Sequence, residues 1–142
     1  MKLFTKNRSA AEPNGMTDER HKEAHKLMSQ IVESIKTEEF TEGAEQTKKL
    51  LERFPDFYMA HVVAAGFYSK AGDKAGAMTE YATAIVLDPT YPIPYLRLAH
   101  IQRKRGNLAA AEAVLERGWK QIERIYPKSR REEERKNYFR ER

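Results

Sequence analysis

The sequence contains no cysteine among its 142 residues. This absence excludes a disulfide framework and any metal site built on thiolates. The chain also lacks a continuous apolar run of the roughly 18 residues that a membrane-spanning helix needs. Basic residues near its start, such as Lys2 and Lys6, are not followed by an apolar stretch, so we expect no secretory signal. These absences favour a cytoplasmic protein, or one at the cytoplasmic face of a membrane.

Patterns that carry catalysis are missing as well. The sequence shows no nucleophile–base arrangement, no phosphate-binding glycine loop and no paired-carboxylate pattern. His21 and His25 are one helical turn apart, but Lys22 stands where zinc proteases carry a glutamate and no third ligand is evident. His61 and His100 are isolated histidines in helical segments. The sequence therefore predicts a protein with no enzymatic activity, no metal and no other cofactor.

Charged residues, in contrast, are abundant. The chain has 26 Lys and Arg against 21 Asp and Glu, a net charge of +5, with 33% charged and 40% hydrophobic residues. This composition is typical of a largely helical protein with strongly solvated faces. The modest positive excess favours acidic partners or surfaces without requiring nucleic acid.

The segment from 58 to 89 has the pattern of two helices separated by a turn at Gly72, where glycine tolerates the left-handed conformation that closes a helix. In the second helix, Ala77 and Tyr81 lie one turn apart on an apolar stripe. Pro89 ends that helix, because proline disfavours helical conformation in the residue before it. We expect Tyr81 to be buried against neighbouring helices.

The glycine and proline residues that end helices recur at a fixed interval. Gly106 follows Gly72 by 34 residues, and Pro89 follows Pro55 by the same distance. A constant period of this length predicts an array of helix pairs, in which each pair buries its apolar face against the next.

The residues at equivalent positions of this array resemble the tetratricopeptide repeat (TPR) family over residues 24–125. The middle unit matches at His61, Ala64, Ala65, Tyr68, Ala77, Tyr81 and Pro89. The third unit offers Tyr95, Leu98, Ala99, Gln102, Ala111 and Leu115, but has Glu123 in place of the proline, which comes later at Pro127. The first unit departs most, with Leu27, Gln30, Ile31, Ser34, Gly43, Thr47 and Pro55.

The resemblance implies an all-α, TPR-type helical-hairpin solenoid of three helix pairs. We expect a flexible N-terminal arm at 1–16 and a TPR domain at 17–127, with repeats at about 24–57, 58–91 and 92–127. Residues 128–142 contain seven Lys or Arg and four Glu. They are expected to form a charged C-terminal helix that caps the array.

Local residue types predict where several helices begin. Thr17 is expected to cap the first helix and Asp56 the third. Thr90 is expected to start the fifth helix. Ser129 and Glu132 have the spacing of a capping box for the last one.

In TPR proteins, the first helix of each pair lines a concave groove that holds a peptide or helix of a partner. The resemblance implies an apolar middle and a basic end for this groove, and a partner segment that is apolar or acidic and amphipathic. The groove residues carried over by spacing are Met28, Val32, Ile35, Lys36, Met59, Val62, Val63, Lys70, Ile93, Leu96, Arg97, His100, Arg103 and Lys104.

Some family members are co-chaperones that grip a C-terminal carboxylate with Lys, Asn and Arg. The corresponding positions here are Met28, Val32, Val63, Ile93 and Arg97, and only Arg97 has a side chain of that kind. The sequence therefore does not predict such a carboxylate clamp.

Other interpretations remain open at this stage. The run Arg103, Lys104 and Arg105, with the basic C-terminal helix, is compatible with a nucleic-acid-associated protein, although a mild net charge argues against it. The chain could also be a structural subunit of a homo-oligomer or larger complex. Leu3 and Phe4, which lie among basic residues, could contact an anionic membrane or occupy the groove.

Overall fold

The computed structural model describes residues 16–140, which form seven α-helices and no strand. The helices are α1 Asp18–Thr37, α2 Phe40–Arg53, α3 Tyr58–Lys70, α4 Lys74–Leu87, α5 Ile93–Lys104, α6 Leu108–Ile122 and α7 Arg131–Arg140. Residues 1–15, most of the expected N-terminal arm, lie outside the described part of the chain. Met16, which we assigned to the arm, is buried in the core and belongs to the folded domain.

The first six helices form three consecutive pairs. α1 packs on α2, α3 on α4 and α5 on α6, and each pair also contacts the next pair along the chain. α7 packs against the end of the array, on α6. This is the predicted helical-hairpin solenoid of three pairs followed by a capping helix.

The turn inside each pair repeats the same backbone feature. Gly72 and Gly106 have φ values of +92° and +84°, and Glu38 has a φ of +60°. Glu38, Gly72 and Gly106 follow one another at intervals of 34 positions, so the period found in the sequence extends to the first pair. There, a glutamate occupies the left-handed position that glycine fills in the other two pairs.

Small residues allow the helices to approach one another. Ala60, Ala64, Ala77 and Ala84 are completely buried, and Tyr81 is 5% exposed, as expected from its place in the stripe. The core is built as three clusters along the array, the first from residues of α1 to α3 and the other two from residues of α3 to α7.

Packing around Gly43 explains one departure of the first repeat from the family pattern. A β-carbon at this position would overlap the ring of Phe67 and the hydroxyl of Ser34. Phe67 is itself 2% exposed and belongs to the first core cluster. A large ring from α3 therefore fills the space that an alanine of α2 takes up in the family pattern, and glycine is needed opposite it.

Helix starts agree with the sequence at one position and differ at three. Thr17 caps α1, since its hydroxyl accepts a hydrogen bond from the amide of Arg20 at 3.2 Å. The residue that precedes α3 is Phe57, so Asp56 is not its N-cap.

Thr90 does not begin α5, which starts at Ile93. The amide and hydroxyl of Thr90 donate instead to the carboxylate of Asp88, at 3.1 and 2.8 Å, and hold a turn. Ser129 lies inside a short 3-10 helix at Lys128–Arg130, so α7 starts at Arg131 rather than at the expected capping box.

Aromatic side chains fasten α7 to the last repeat. Tyr138 is 7% exposed, and its hydroxyl donates to the carbonyl of Leu115 at 3.0 Å. The ring of Trp119 stacks on Tyr126 with centroids 6.2 Å apart and meets Tyr138 at 5.6 Å. α7 therefore covers the apolar end of the array while most of its charged residues face solvent.

Candidate functional site: a basic cleft between the second and third repeats

A cleft of about 570 Å³ opens between the first helices of the second and third repeats. One wall comes from the carboxyl-terminal half of α3 and the start of α4, and the other from α5, with Ile35 of α1 at one margin. Tyr81 of α4 lies between the two walls. The lining residues are Ile35, Gly66, Ser69, Lys70, Lys74, Tyr81, Arg97, His100, Ile101, Lys104 and Arg105.

The charge of this cleft is of one sign. Five of its lining side chains are Lys or Arg, and no Asp or Glu is among them. Lys70, Arg97 and Lys104 are exposed and make no ion pair with any residue between 16 and 140. Cations gathered without a counter-charge raise the local concentration of anionic ligands.

The other two cations are held at the edges. The Nζ atom of Lys74 donates to the carbonyl of Ser69 at 3.3 Å and to its hydroxyl at 3.2 Å. A guanidinium nitrogen of Arg105 lies 3.1 Å from the sulfur of Met78. Neither contact neutralises the positive charge, so both cations still contribute to the field of the cleft.

Tyr81 gives the cleft a polar group at its base. Its ring is buried, but its hydroxyl makes no hydrogen bond to another described residue. Burial raises the pKa of Tyr81, and the nearby charge of Arg97 opposes this rise in part. The hydroxyl therefore stays protonated at neutral pH and can donate to an anion.

The predicted groove residues fall into separate places. Ile35, Arg97, His100 and Lys104 line the basic cleft together. Val32 is 42% exposed on α1. The remaining middle positions, Met59, Val62 and Val63, are half-buried and pack against the core clusters instead of lining the cleft.

Met28 requires a correction. It is 7% exposed and lies in the first core cluster with Leu27 and Ile31, so it is part of the interior and not of a groove. Spacing alone placed it beside Val32 and Ile35, but its direction along α1 is closer to the buried face than to the concave one. The expected groove therefore has one apolar residue fewer than the sequence predicted.

The two remaining apolar positions, Ile93 and Leu96, line a second pocket of about 280 Å³. Trp119, Ile122 and Tyr126 form its far side, and α7 borders it through Glu134 and Tyr138. Arg103, at the other end of α5, is half-buried and interacts with other residues of the chain. α5 thus borders both the basic cleft and this apolar pocket.

Sequence reasoning did not assign Lys74, Arg105 or Tyr81 to the site. Lys74 and Arg105 each lie within two residues of a left-handed glycine, Gly72 or Gly106, at the turns that border the cleft. The 34-residue period locates those turns, so a search for cations next to the repeated glycines would have found both residues. Tyr81 was expected only as a core residue.

Within residues 16–140, no group of three or more metal-binding side chains converges. The rings of His21 and His25 lie 6.0 Å apart, and His21 packs edge-on against Phe57. No helix in this described part combines the length and apolarity needed to cross a membrane.

No protein-family model and no curated protein matches the chain. Among solved structures, it is similar to the crystal structure of the Sgt2 TPR domain from Aspergillus fumigatus, with a TM-score of 0.63 and 20% sequence identity. The match covers 83% of this chain and 78% of that one. At this identity the likeness concerns the fold alone. The chain therefore has the helical-hairpin fold of TPR domains.

Proposed function

We propose that this protein is a non-enzymatic interaction module that holds an acidic segment of a partner protein in the basic cleft. The observation that carries the proposal is the set of Lys70, Arg97 and Lys104, three exposed cations around one cleft without an ion-pair partner between residues 16 and 140. Carboxylates of a partner would supply the missing counter-charge. An adaptor or an assembly chaperone would use such a surface.

The architecture supports a segment rather than a small ligand. The cleft is an open trough between parallel repeats, and its cations come from α3, α4 and α5. The cleft has five cations and no acidic side chain, so a single small anion would leave most of this charge unmatched. A chain with several carboxylates can contact them in succession, and its ends can leave the trough freely.

The C-terminal arginines give less support to the nucleic-acid alternative. Arg130 pairs with Glu134 and Arg135 pairs with Glu116, while Arg131 donates to the carbonyl of Tyr126. The two ion pairs neutralise charge within the chain, whereas the contact of Arg131 with a carbonyl leaves its charge in place. Phosphate binding at α7 would have to break or share them.

The proposal is tested with a fluorescent peptide rich in aspartate and glutamate. Arg97→Glu and Lys104→Glu should each weaken its binding at least tenfold at low salt, because each reversal places like charges together. Raising the salt concentration should weaken the unmodified protein as well, since the contacts are exposed and screened. Binding is measured by fluorescence anisotropy.

Lys120→Glu is the matched control, since Lys120 is an exposed cation of α6 outside the cleft. It makes the same change in net charge and should leave the affinity nearly unchanged. Equal losses at Lys120 and Arg97 would show a non-specific charge effect and would refute the cleft as the site. Loss on reversal of Arg130 and Arg131 alone would favour the C-terminal surface instead.

A structural subunit role would appear as self-association. We expect the purified protein to be monomeric by light scattering, as a free adaptor would be. A stable oligomer that excludes the peptide would contradict the proposal.

A further inference from the structure

We infer that the partner segment is bipartite: an acidic residue in the basic cleft and, about three residues away along an extended chain, a large apolar side chain in the pocket beside Trp119. This inference rests on the proposed function and adds the second half of its ligand. It concerns the pocket lined by Ile93 and Leu96, which the acidic residues of the partner segment do not occupy.

One stripe of α5 joins the two sites. Ile93, Arg97, His100 and Lys104 follow at offsets of four, three and four, so they lie along one face of the helix. Ile93 borders the apolar pocket, whereas the other three line the basic cleft. A segment that runs along this face therefore meets the apolar pocket at one end of α5 and the cations at the other.

The chemistry of each site decides which side chain it accepts. The apolar pocket is lined mainly by Ile93, Leu96, Trp119 and Ile122, and Glu134 stands at its border. A carboxylate would lose its hydration among apolar groups, and Glu134, which is already paired with Arg130, offers it no cation. The basic cleft has the opposite character, so the acidic and apolar parts of a ligand can bind in only one arrangement.

The spacing follows from helix geometry. On α5, the midpoint of Ile93 and Leu96 lies about six positions before the midpoint of Arg97 and Lys104. At about 1.5 Å per residue, this separation is roughly 9 Å along the helix. An extended chain advances about 3.3–3.6 Å per residue, so about three residues span this distance. The pocket volume of about 280 Å³ suits one large side chain.

Trp119 makes the inference measurable, because it is the only tryptophan of the chain and lines the pocket. The probes are synthetic acidic peptides of three designs, none of which contains tryptophan. One carries phenylalanine about three residues from its aspartates, tested in both orders; one has alanine there; and one has phenylalanine next to the aspartates. We expect the better order of the first to bind about tenfold more tightly than the other two and to change Trp119 emission.

Ile93→Ser should remove the advantage of the phenylalanine peptide while leaving the affinity of the alanine peptide unchanged. Ile93 belongs to none of the three core clusters, so this variant is expected to fold. Ile125→Ser is the matched control, since Ile125 is 54% exposed outside both sites. Circular dichroism melting curves verify folding of both variants.

The outcomes separate the two proposals. Equal affinities of the phenylalanine and alanine peptides, or an advantage that survives Ile93→Ser, would overturn the bipartite ligand and leave the acidic cleft standing. If only the peptide with phenylalanine next to its aspartates binds more tightly than the alanine peptide, the two sites are not used together. If none of the peptides binds, the proposed function fails, and this inference fails with it.

Discussion

Glu38 adopts the backbone conformation that Gly72 and Gly106 adopt at the equivalent positions of the other repeats. Its φ of +60° brings the β-carbon close to the backbone, a cost of about 1–2 kcal/mol for residues other than glycine. Glu38→Gly should therefore raise the free energy of unfolding by about 1 kcal/mol, reduced in part by the entropy that glycine adds to the unfolded chain. Urea denaturation measures the change.

Gly72→Ala provides the reverse experiment at the matching position of the second repeat. Apart from the adjoining residues, no atom lies within 4 Å of a β-carbon added there, so a loss of stability in this variant would come from the backbone conformation alone. If Glu38→Gly destabilises the protein while Gly72→Ala does not, the two turns are not equivalent.

Tyr138 links stability to alkaline pH. Burial is the main cause that raises its pKa far above the usual value, with Tyr95 and Glu116 adding to the rise and Arg117 opposing it. In the unfolded chain the group ionises near pH 10. Its contribution is therefore fully present below about pH 10 and is lost as the pH rises above that value.

We expect the free energy of unfolding to fall between about pH 10 and 11, and to fall less in Tyr138→Phe. The variant also loses the hydrogen bond to Leu115, which should cost about 1 kcal/mol at neutral pH. Urea titrations at neutral pH measure the loss of the hydrogen bond, and urea titrations at about pH 10 and 11 measure the effect of ionisation. An identical slope with pH in the two proteins would mean that Tyr138 is not protected from ionisation.

At the scale of helices, Gly118 determines how closely α6 packs to its neighbours. A β-carbon on Gly118 would overlap the ring of Tyr95 on α5 and the hydroxyl of Tyr138 on α7. Tyr95 is 1% exposed and its own hydroxyl donates to the carbonyl of Pro89 at 2.7 Å, so it has little room to move. Gly118→Ala should lower the free energy of unfolding by about 1–3 kcal/mol.

Gly66→Ala is the control for this substitution. Gly66 lies inside α3, and no atom lies within 4 Å of an added β-carbon. Alanine there should raise stability by up to about 1 kcal/mol through helix propensity. Thermal melts of the two variants should shift in opposite directions. A shift of Gly118→Ala in the stabilising direction would contradict the close packing of α5, α6 and α7.

The helices most predictable from the sequence are those that end at a glycine or a proline. The glycine turns and Pro89 located the helix pairs, because backbone conformation at these residues depends on their immediate neighbours. The start of α5 was placed too early, since the bonds from Thr90 to Asp88 form a competing turn that periodicity does not reveal. Ser129 was misassigned for a similar reason, as a 3-10 turn precedes α7.

The site was less predictable, because it is assembled between repeats. Arg97, His100 and Lys104 share one helix face and could be recognised from spacing alone. Lys74 and Tyr81 come from α4, and they line the cleft together with residues of α3 and α5 that are distant in sequence. Met28 could not be distinguished from a groove residue without the packing direction of α1.

At the scale of the whole molecule, contacts are short in sequence. Each helix packs on its immediate neighbours or on the first helix of the next pair, and no substantial contact joins the first pair to the third within the described residues. In such an array, stability is approximately a sum of repeat and nearest-neighbour terms. The two ends of the array can therefore differ in stability.

The arrangement of the first core cluster has a consequence for synthesis. All of its members lie between Met16 and Tyr68, so a nascent chain can complete this cluster before α4 has left the ribosomal exit tunnel. The basic cleft, in contrast, needs residues from Ile35 to Arg105. We expect ribosome-bound chains that expose residues up to Gly72 to resist protease in the first repeat, and to bind no acidic peptide. Folding would then begin well before the protein becomes able to engage a partner.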